Sequence, residues 1–224
     1  MPATLLGDLV GSRRVPDRGA VQDGLLAALA QVNEQVPAQQ PLEPTIGDEF
    51  QGAYDAVADA VRASLLVRLL LLPLVDTRYG LGLGGVTVFE ADRTPVSQDG
   101  PGWWAAREAI AQVSAREGRR ASARGTRTLL VDRSGEPWPT GTAAEPAPEG
   151  LAAALNAHLL VRDEAVGLMG ERAQRLLLGW LLGRTQSELA EQEGISQSAV
   201  SQALGRSGAY ALRDAQDALA GSLR

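Results

Sequence analysis

Residues 6–12 read Leu6-Gly7-Asp8-Leu9-Val10-Gly11-Ser12, and residues 45–50 read Thr45-Ile46-Gly47-Asp48-Glu49-Phe50. Each is a short apolar run ending in Gly-Asp, which predicts a strand that delivers a carboxylate to a tight turn. The two aspartates lie 40 positions apart, a normal separation for strands brought side by side across a crossover. Two carboxylates presented this way suit a hard divalent cation, because Mg²⁺ takes one or two carboxylates and leaves its other positions to water and phosphate. The plainer reading is that both aspartates only close turns; the matching glycine and hairpin context favours a shared metal or phosphate role. Glu49 is expected to be a solvated or hydrogen-bonded strand residue rather than a third ligand.

Around these stretches the pattern alternates between strand and helix. Asp17 is placed to cap a helix whose apolar positions, Val21, Leu25, Ala28, Leu29 and Val32, recur at helical spacing. Residues 37–44 read as a Pro/Gln-rich connection. A hairpin follows, with Phe50, Gly52 and Tyr54 on one face and Glu49 and Gln51 on the other. A second helix is expected over 55–71, ended by Pro73. In Tyr79-Gly80-Leu81-Gly82-Leu83-Gly84-Gly85, glycine and apolar residues alternate, the mark of a strand closely approached by another backbone or by a ligand. A loop over 97–102, a third helix over 103–117 and an apolar strand at Leu129-Leu130-Val131 complete the first half. Trp103 and Trp104 read as anchors of a protein interface.

From residue 136 to 150 the composition turns to Pro, Gly, Ala, Glu and Thr without periodicity. This predicts a linker between a domain over 1–135 and a helical domain over 151–224. In the second half, His158 reads as a packed helix residue. Thr185 with Glu188 has capping-box spacing, Gly194 supplies a turn and Ser196 caps the next helix. Ile195, Val200 and Leu204 form an inner stripe. Gln197, Ser198, Ser201, Gln202 and Arg206 are left outside, amides, hydroxyls and an arginine able to read base edges. That is the pattern of a helix-turn-helix, and double-stranded DNA is the partner it predicts, read by a homodimer on paired half-sites.

Composition narrows the classes further. The chain has no cysteine, which excludes disulfides and thiolate metal sites, and one histidine, which disfavours a Ser-His-Asp triad or a histidine-rich zinc site. A formal charge of −6 argues against whole-surface attraction to nucleic acid while leaving room for a local basic face. The N-terminus lacks a charged region followed by an apolar run, and the apolar stretch 65–74 is short and interrupted by Arg68. A cytoplasmic protein without membrane contact is expected. Arg13 and Arg14 follow the first acidic stretch directly and Arg107 sits on the third helix, each suited to phosphate.

The first half resembles the class III nucleotide cyclase palm, a ferredoxin-like α+β fold. The likeness rests on Asp8-Leu9-Val10-Gly11, on Ile46-Gly47-Asp48, on the glycine-rich strand 78–85, and on Ala105-Ala106-Arg107. It implies Asp8 and Asp48, with Leu9 beside the first, as the positions holding Mg²⁺ or Mn²⁺. It also implies Arg13, Gly47 and Arg107 as nucleotide-binding positions, with Arg107 as the transition-state arginine if the site is active. Three departures stand against turnover: Pro44 where the base-selecting lysine belongs, Trp103 in place of the asparagine, and no lysine anywhere in the chain. As a whole the chain resembles the SatD family, through Gly7–Arg13, Gly47–Gly52, Asp99-Gly100-Pro101 with Arg107-Glu108-Ala109, and the terminal Ser196–Gln202. The expected function is a DNA-binding transcription regulator whose degenerate palm binds a nucleotide with divalent metal. Alternatives are an active two-metal nucleotide cyclase or nucleotidyltransferase, and a palm that serves only for dimerisation.

Overall fold

The computed structural model describes residues 1–90, 96–117, 125–138 and 144–222, without the side chain of Arg13. The fold is mixed α+β. In chain order it runs β1 (Ala3–Leu9), a 3-10 turn (Ser12–Arg14), α1 (Arg18–Gln35), β2 (Gln40–Pro44), β3 (Glu49–Tyr54), α2 (Val57–Leu71), β4 (Thr77–Leu83), β5 (Thr87–Glu90), β6 (Ser97–Asp99), α3 (Pro101–Glu117) and β7 (Thr128–Asp132). Then come α4 (Leu151–Leu168), α5 (Glu171–Leu181), α6 (Gln186–Glu193), α7 (Gln197–Ser207) and α8 (Ala209–Ser222).

The main sheet has the order β2-β3-β1-β4-β7, antiparallel except for the β4–β7 pair. Strand alternation sends its two faces to different helices. Leu5, Leu9, Phe50, Tyr54, Tyr79 and Leu81 share a core with α1 and α2. Leu6 and Ala53 point the other way, onto Trp103, Ala106 and Ile110 of α3. The α1 stripe is the one its spacing predicts, and the Asp17 side chain accepts from the Ala20 N–H at its start.

The glycines of β4 set the distance of α3. A Cβ on Gly80 would lie 2.0 Å from the Ala106 carbonyl oxygen, and one on Gly82 would lie 2.1 Å from that of Gly102. The helix therefore rests on strand backbone, a separation that side chains there would forbid. The expected close approach is found, and its agent is a helix.

Three expectations are corrected. Residues 40–44 form β2 rather than a connection; as the edge of the sheet, β2 accommodates Pro41 and Pro44 without breaking the ladder. Ser97–Asp99 is a strand, paired antiparallel with β5 in a small second sheet. Trp103 is core, packed on Leu6 and Ala53, because α3 begins at Pro101 and turns that side chain onto the sheet. Trp104 is partly exposed, and its indole N–H donates to Asp99 at 2.8 Å.

The second half shares the interior of the first. Leu155, Leu159, Val166, Leu176 and Leu177 belong to the same apolar cluster as Val61, Leu65 and Leu66 of α2. Arg62 donates to the Leu181 carbonyl at 2.9 Å, and Gln216 of α8 donates to that of Ala58 at 3.2 Å. Asn156 of α4 exchanges hydrogen bonds of 2.8 Å with both the N–H and the C=O of Leu130. Its amide thus occupies the open edge of β7 as a further strand would. Segment 136–150 therefore joins two halves whose core is continuous. No described helix is long and apolar enough to cross a membrane.

Gly82→Ala should lower the unfolding free energy by about 3 kcal/mol, as overpacking against rigid backbone does. Urea denaturation with tryptophan fluorescence measures it, and wild-type stability in that variant would contradict the seating of α3.

Candidate functional site

The two Gly-Asp pairs reach the same region by different local means. Gly7 lies inside β1 opposite Phe50, and a Cβ there would fall 2.1 Å from the Phe50 ring. Its glycine serves packing, and Asp8 is a strand residue, not a turn residue; the turn follows at Gly11, with φ 70°. Gly47 does occupy the hairpin turn, with φ 75°, a conformation that favours glycine.

Pairing then gathers the charges. Register sets Asp8 beside Glu49 of β3 on one side and Arg78 of β4 on the other. Arg78 donates to Asp8 Oδ2 from Nε at 2.9 Å and from Nη2 at 2.7 Å, and its Nη1 reaches Ser114 and Glu117 of α3, each at 3.1 Å. Ser12 Oγ hydrogen-bonds Asp48 Oδ2, tying the first turn to the hairpin. Arg107 makes a two-pronged ion pair with Glu49, at 2.9 and 3.0 Å. Asp8 thus lies beside Glu49, Glu49 holds Arg107, and Asp48 is tied to Ser12 at the first turn. Arg78, Ser12 and Glu117 are additions, and Glu49 proves to be the partner of Arg107. Arg13 follows in the 3-10 turn; its side chain lies outside the described set.

Burial raises the Asp8 pKa above its ordinary value; Arg78 opposes this, while the negative charges of Asp48 and Glu49 add to it. A cation between Asp8 and Asp48 would relieve that repulsion. Each aspartate engages its neighbours through Oδ2, and among the described residues Oδ1 of each accepts no hydrogen bond. The Leu9 side chain is buried, so its backbone carbonyl is what it can offer a metal. No group of three or more carboxylate, histidine or cysteine residues that could hold a metal occurs among the described residues. Asp8 and Asp48 are two carboxylates, fewer than an all-protein metal cage needs. Beside them a groove of about 400 Å³ runs between the hairpin and α3, lined by Thr45, Ile46, Gln51, Trp103 and Arg107.

At the other end of the chain, α6 and α7 meet at Gly194, φ 62°. The capping box is present: Thr185 Oγ1 accepts from the Glu188 N–H at 3.2 Å, and Glu188 accepts from the Thr185 N–H at 2.7 Å. Ser196 caps α7 through the Ala199 N–H. Val200 and Leu204 are fully buried and Ile195 packs beside them. Ala190, small enough for helices to cross closely, is buried, and Gly179 of α5 is a further close approach, since a Cβ there would meet Leu189 at 2.4 Å. Gln197, Ser198, Gln202 and Arg206 are exposed in a row. Ser201 is half-buried and turned to the Tyr210 hydroxyl at 3.4 Å, because α8 folds back along this side. His158 is half-buried, with a pKa lowered by burial and by Arg162.

The SatD family model matches residues 3–123, more than half of the chain; the span ends before the α6–α7 pair. Among solved structures, a bacterial light-regulated adenylyl cyclase superposes with a TM-score of 0.37 at 12% identity, over 57% of this chain and 73% of that chain. No curated protein matches the chain.

In the Asp48→Asn chain, the Asp8 carboxyl should titrate closer to its ordinary 3.8, read by carbon-detected NMR. Folded Asp8 holds its proton more tightly than unfolded Asp8. Its contribution to stability is therefore complete below the unfolded pKa and lost as pH rises through the folded one. Wild type should lose stability relative to Asp8→Asn over that interval, and urea midpoints that stay parallel would contradict the raised Asp8 pKa.

Proposed function

The chain belongs to the SatD family, and from that premise we propose a DNA-binding regulator whose sheet-bearing half binds a nucleotide together with Mg²⁺ or Mn²⁺. The observation that carries the reading is the α6–α7 pair. It has caps at both helix starts, a glycine turn, a buried inner stripe and an exposed row of Gln197, Ser198, Gln202 and Arg206. Helix-turn-helix proteins place such a row in the major groove, and dimers of them read paired half-sites. One short helix buries too little surface for specific binding alone, so a second copy belongs to the reading.

The strand order β2-β3-β1-β4 with α1 and α2 on one face supports the palm reading of the first half. In it Asp8, Asp48 and the Leu9 carbonyl would hold the metal, which supplies positive charge to a bound polyphosphate. Arg107, freed from Glu49, would bind a phosphate oxygen in two-pronged fashion, and Gly47 would let the hairpin backbone come close. Arg78 already neutralises Asp8, and Trp103 fills the core at the position of the asparagine that an active cyclase needs. Both favour binding over turnover.

Gln197→Ala and Arg206→Ala should each weaken specific DNA binding by about 1–3 kcal/mol. Fluorescence anisotropy on DNA selected from the upstream region reads this, and unchanged affinity in both variants removes α7 as the reading helix. Calorimetry with a panel of nucleoside triphosphates and Mg²⁺ should give binding that Asp48→Asn abolishes. A panel without heat would reduce both aspartates to structural roles.

A further inference from the structure

α4 buries an ion pair among apolar side chains and also presents hydrocarbon to the outside. Arg162 and Asp163 are buried, whereas Val161 is 71% and Leu168 78% exposed. Ala154 and Ala157 are exposed on the same side. At about 100° per residue, positions 154, 157, 161 and 168 fall within about 60° of one another, a single stripe some 21 Å long. A helix that is apolar on its outer face as well as its inner one belongs to an interior. The three internal stretches outside the described set, 91–95, 118–124 and 139–143, contain no large apolar side chain to lay over it.

We infer that this face of α4 is the contact between two copies of the chain, packed antiparallel with Val161 on the two-fold axis. The register is self-complementary in size. Leu168 of one copy meets Ala154 of the other, Ala165 meets Ala157, and Val161 meets itself, so the large side chain falls on a small one at each end. It is complementary in charge as well. Glu149, exposed just ahead of α4, comes near Arg172, which is exposed just beyond its end and 3.8 Å from Glu193 of its own chain, and the two helix dipoles oppose each other favourably. Past Leu168 the stripe opens into a groove of about 540 Å³ lined by Met169, Ala173 and Ala203. Arg206 of the proposed DNA-facing row also lines that groove, so the contact is confined to the α4 stripe.

The chain has no cysteine, so single cysteines report proximity cleanly. Under mild oxidation Val161→Cys should form a disulfide dimer at least about tenfold faster than Leu26→Cys, an exposed site on α1. A mixture of Ala154→Cys and Leu168→Cys chains should form the mixed disulfide faster than either forms its own. In sedimentation velocity the wild type should run at about twice 23.5 kDa and Val161→Arg, altered at an exposed position, at the single mass with an unchanged melting curve. A wild type that is monomeric at micromolar concentration overturns the inference. So does a Val161→Arg chain that still dimerises, or cross-linking at position 161 no faster than at 26. The contact rests on the proposed reading in that it supplies the second copy that reading calls for. Because these measurements use no DNA and no nucleotide, a chain that dimerises this way yet binds no DNA would overturn that reading alone.

Discussion

A line of alternating charges runs through the protein and fixes its layers to one another. From Arg162 and Asp163 of α4 it passes to Arg68 of α2, then to Asp76 at the foot of β4, Arg127 ahead of β7, Glu117 of α3, Arg78 of β4 and finally Asp8. Its inner members lie out of water. Arg162 uses all its nitrogens, toward Asp163, the Val61 carbonyl, Ser64 and Thr128. A buried ion pair contributes little against a well-packed apolar substitute, yet removing one partner costs about 3–5 kcal/mol because the other stays charged and dry. Such a network therefore favours one arrangement of these elements over near alternatives more than it adds total stability. Asp76 illustrates the balance: burial pushes its pKa up, and the guanidiniums of Arg68 and Arg127 outweigh burial and hold it below the ordinary value.

The same line connects the acidic corner to the helical half. Arg68 and Asp163 join across the expected domain boundary, and Arg78 and Glu117 carry the pairing to Asp8. A ligand that draws Arg78 away from Asp8 would therefore disturb charges continuous with α4, the helix next to the α5–α7 unit. The pairing thus runs from the acidic corner to α4 within one shared core.

Glycine carries the other constraint. β4 presents Tyr79, Leu81 and Leu83 to α1 and α2, and bare backbone at Gly80 and Gly82 to α3. That intimacy places Arg107 within reach of Glu49 and Glu117 within reach of Arg78. The seating of Arg107 on Glu49 and of Glu117 on Arg78 thus follows from the absence of side chains on β4, the strand next to Asp8.

The α1 stripe, the capping box and the Gly194 turn were determined by the sequence itself. They depend on spacings within a few residues, where periodicity and capping chemistry act locally. The pairing of Asp8 with Arg78, of Arg107 with Glu49 and of Ser12 with Asp48 was decided only by tertiary structure, because strand register brings together residues 36 to 70 positions apart that carry no mutual mark in the chain. The same holds for β2, whose prolines are tolerable only once it is an edge, and for Trp103, which a shift in the start of α3 turned inward. The shared core had to come from the fold as well, since composition registers the change at 136–150 but not that α4, α5 and α8 return to pack on α2.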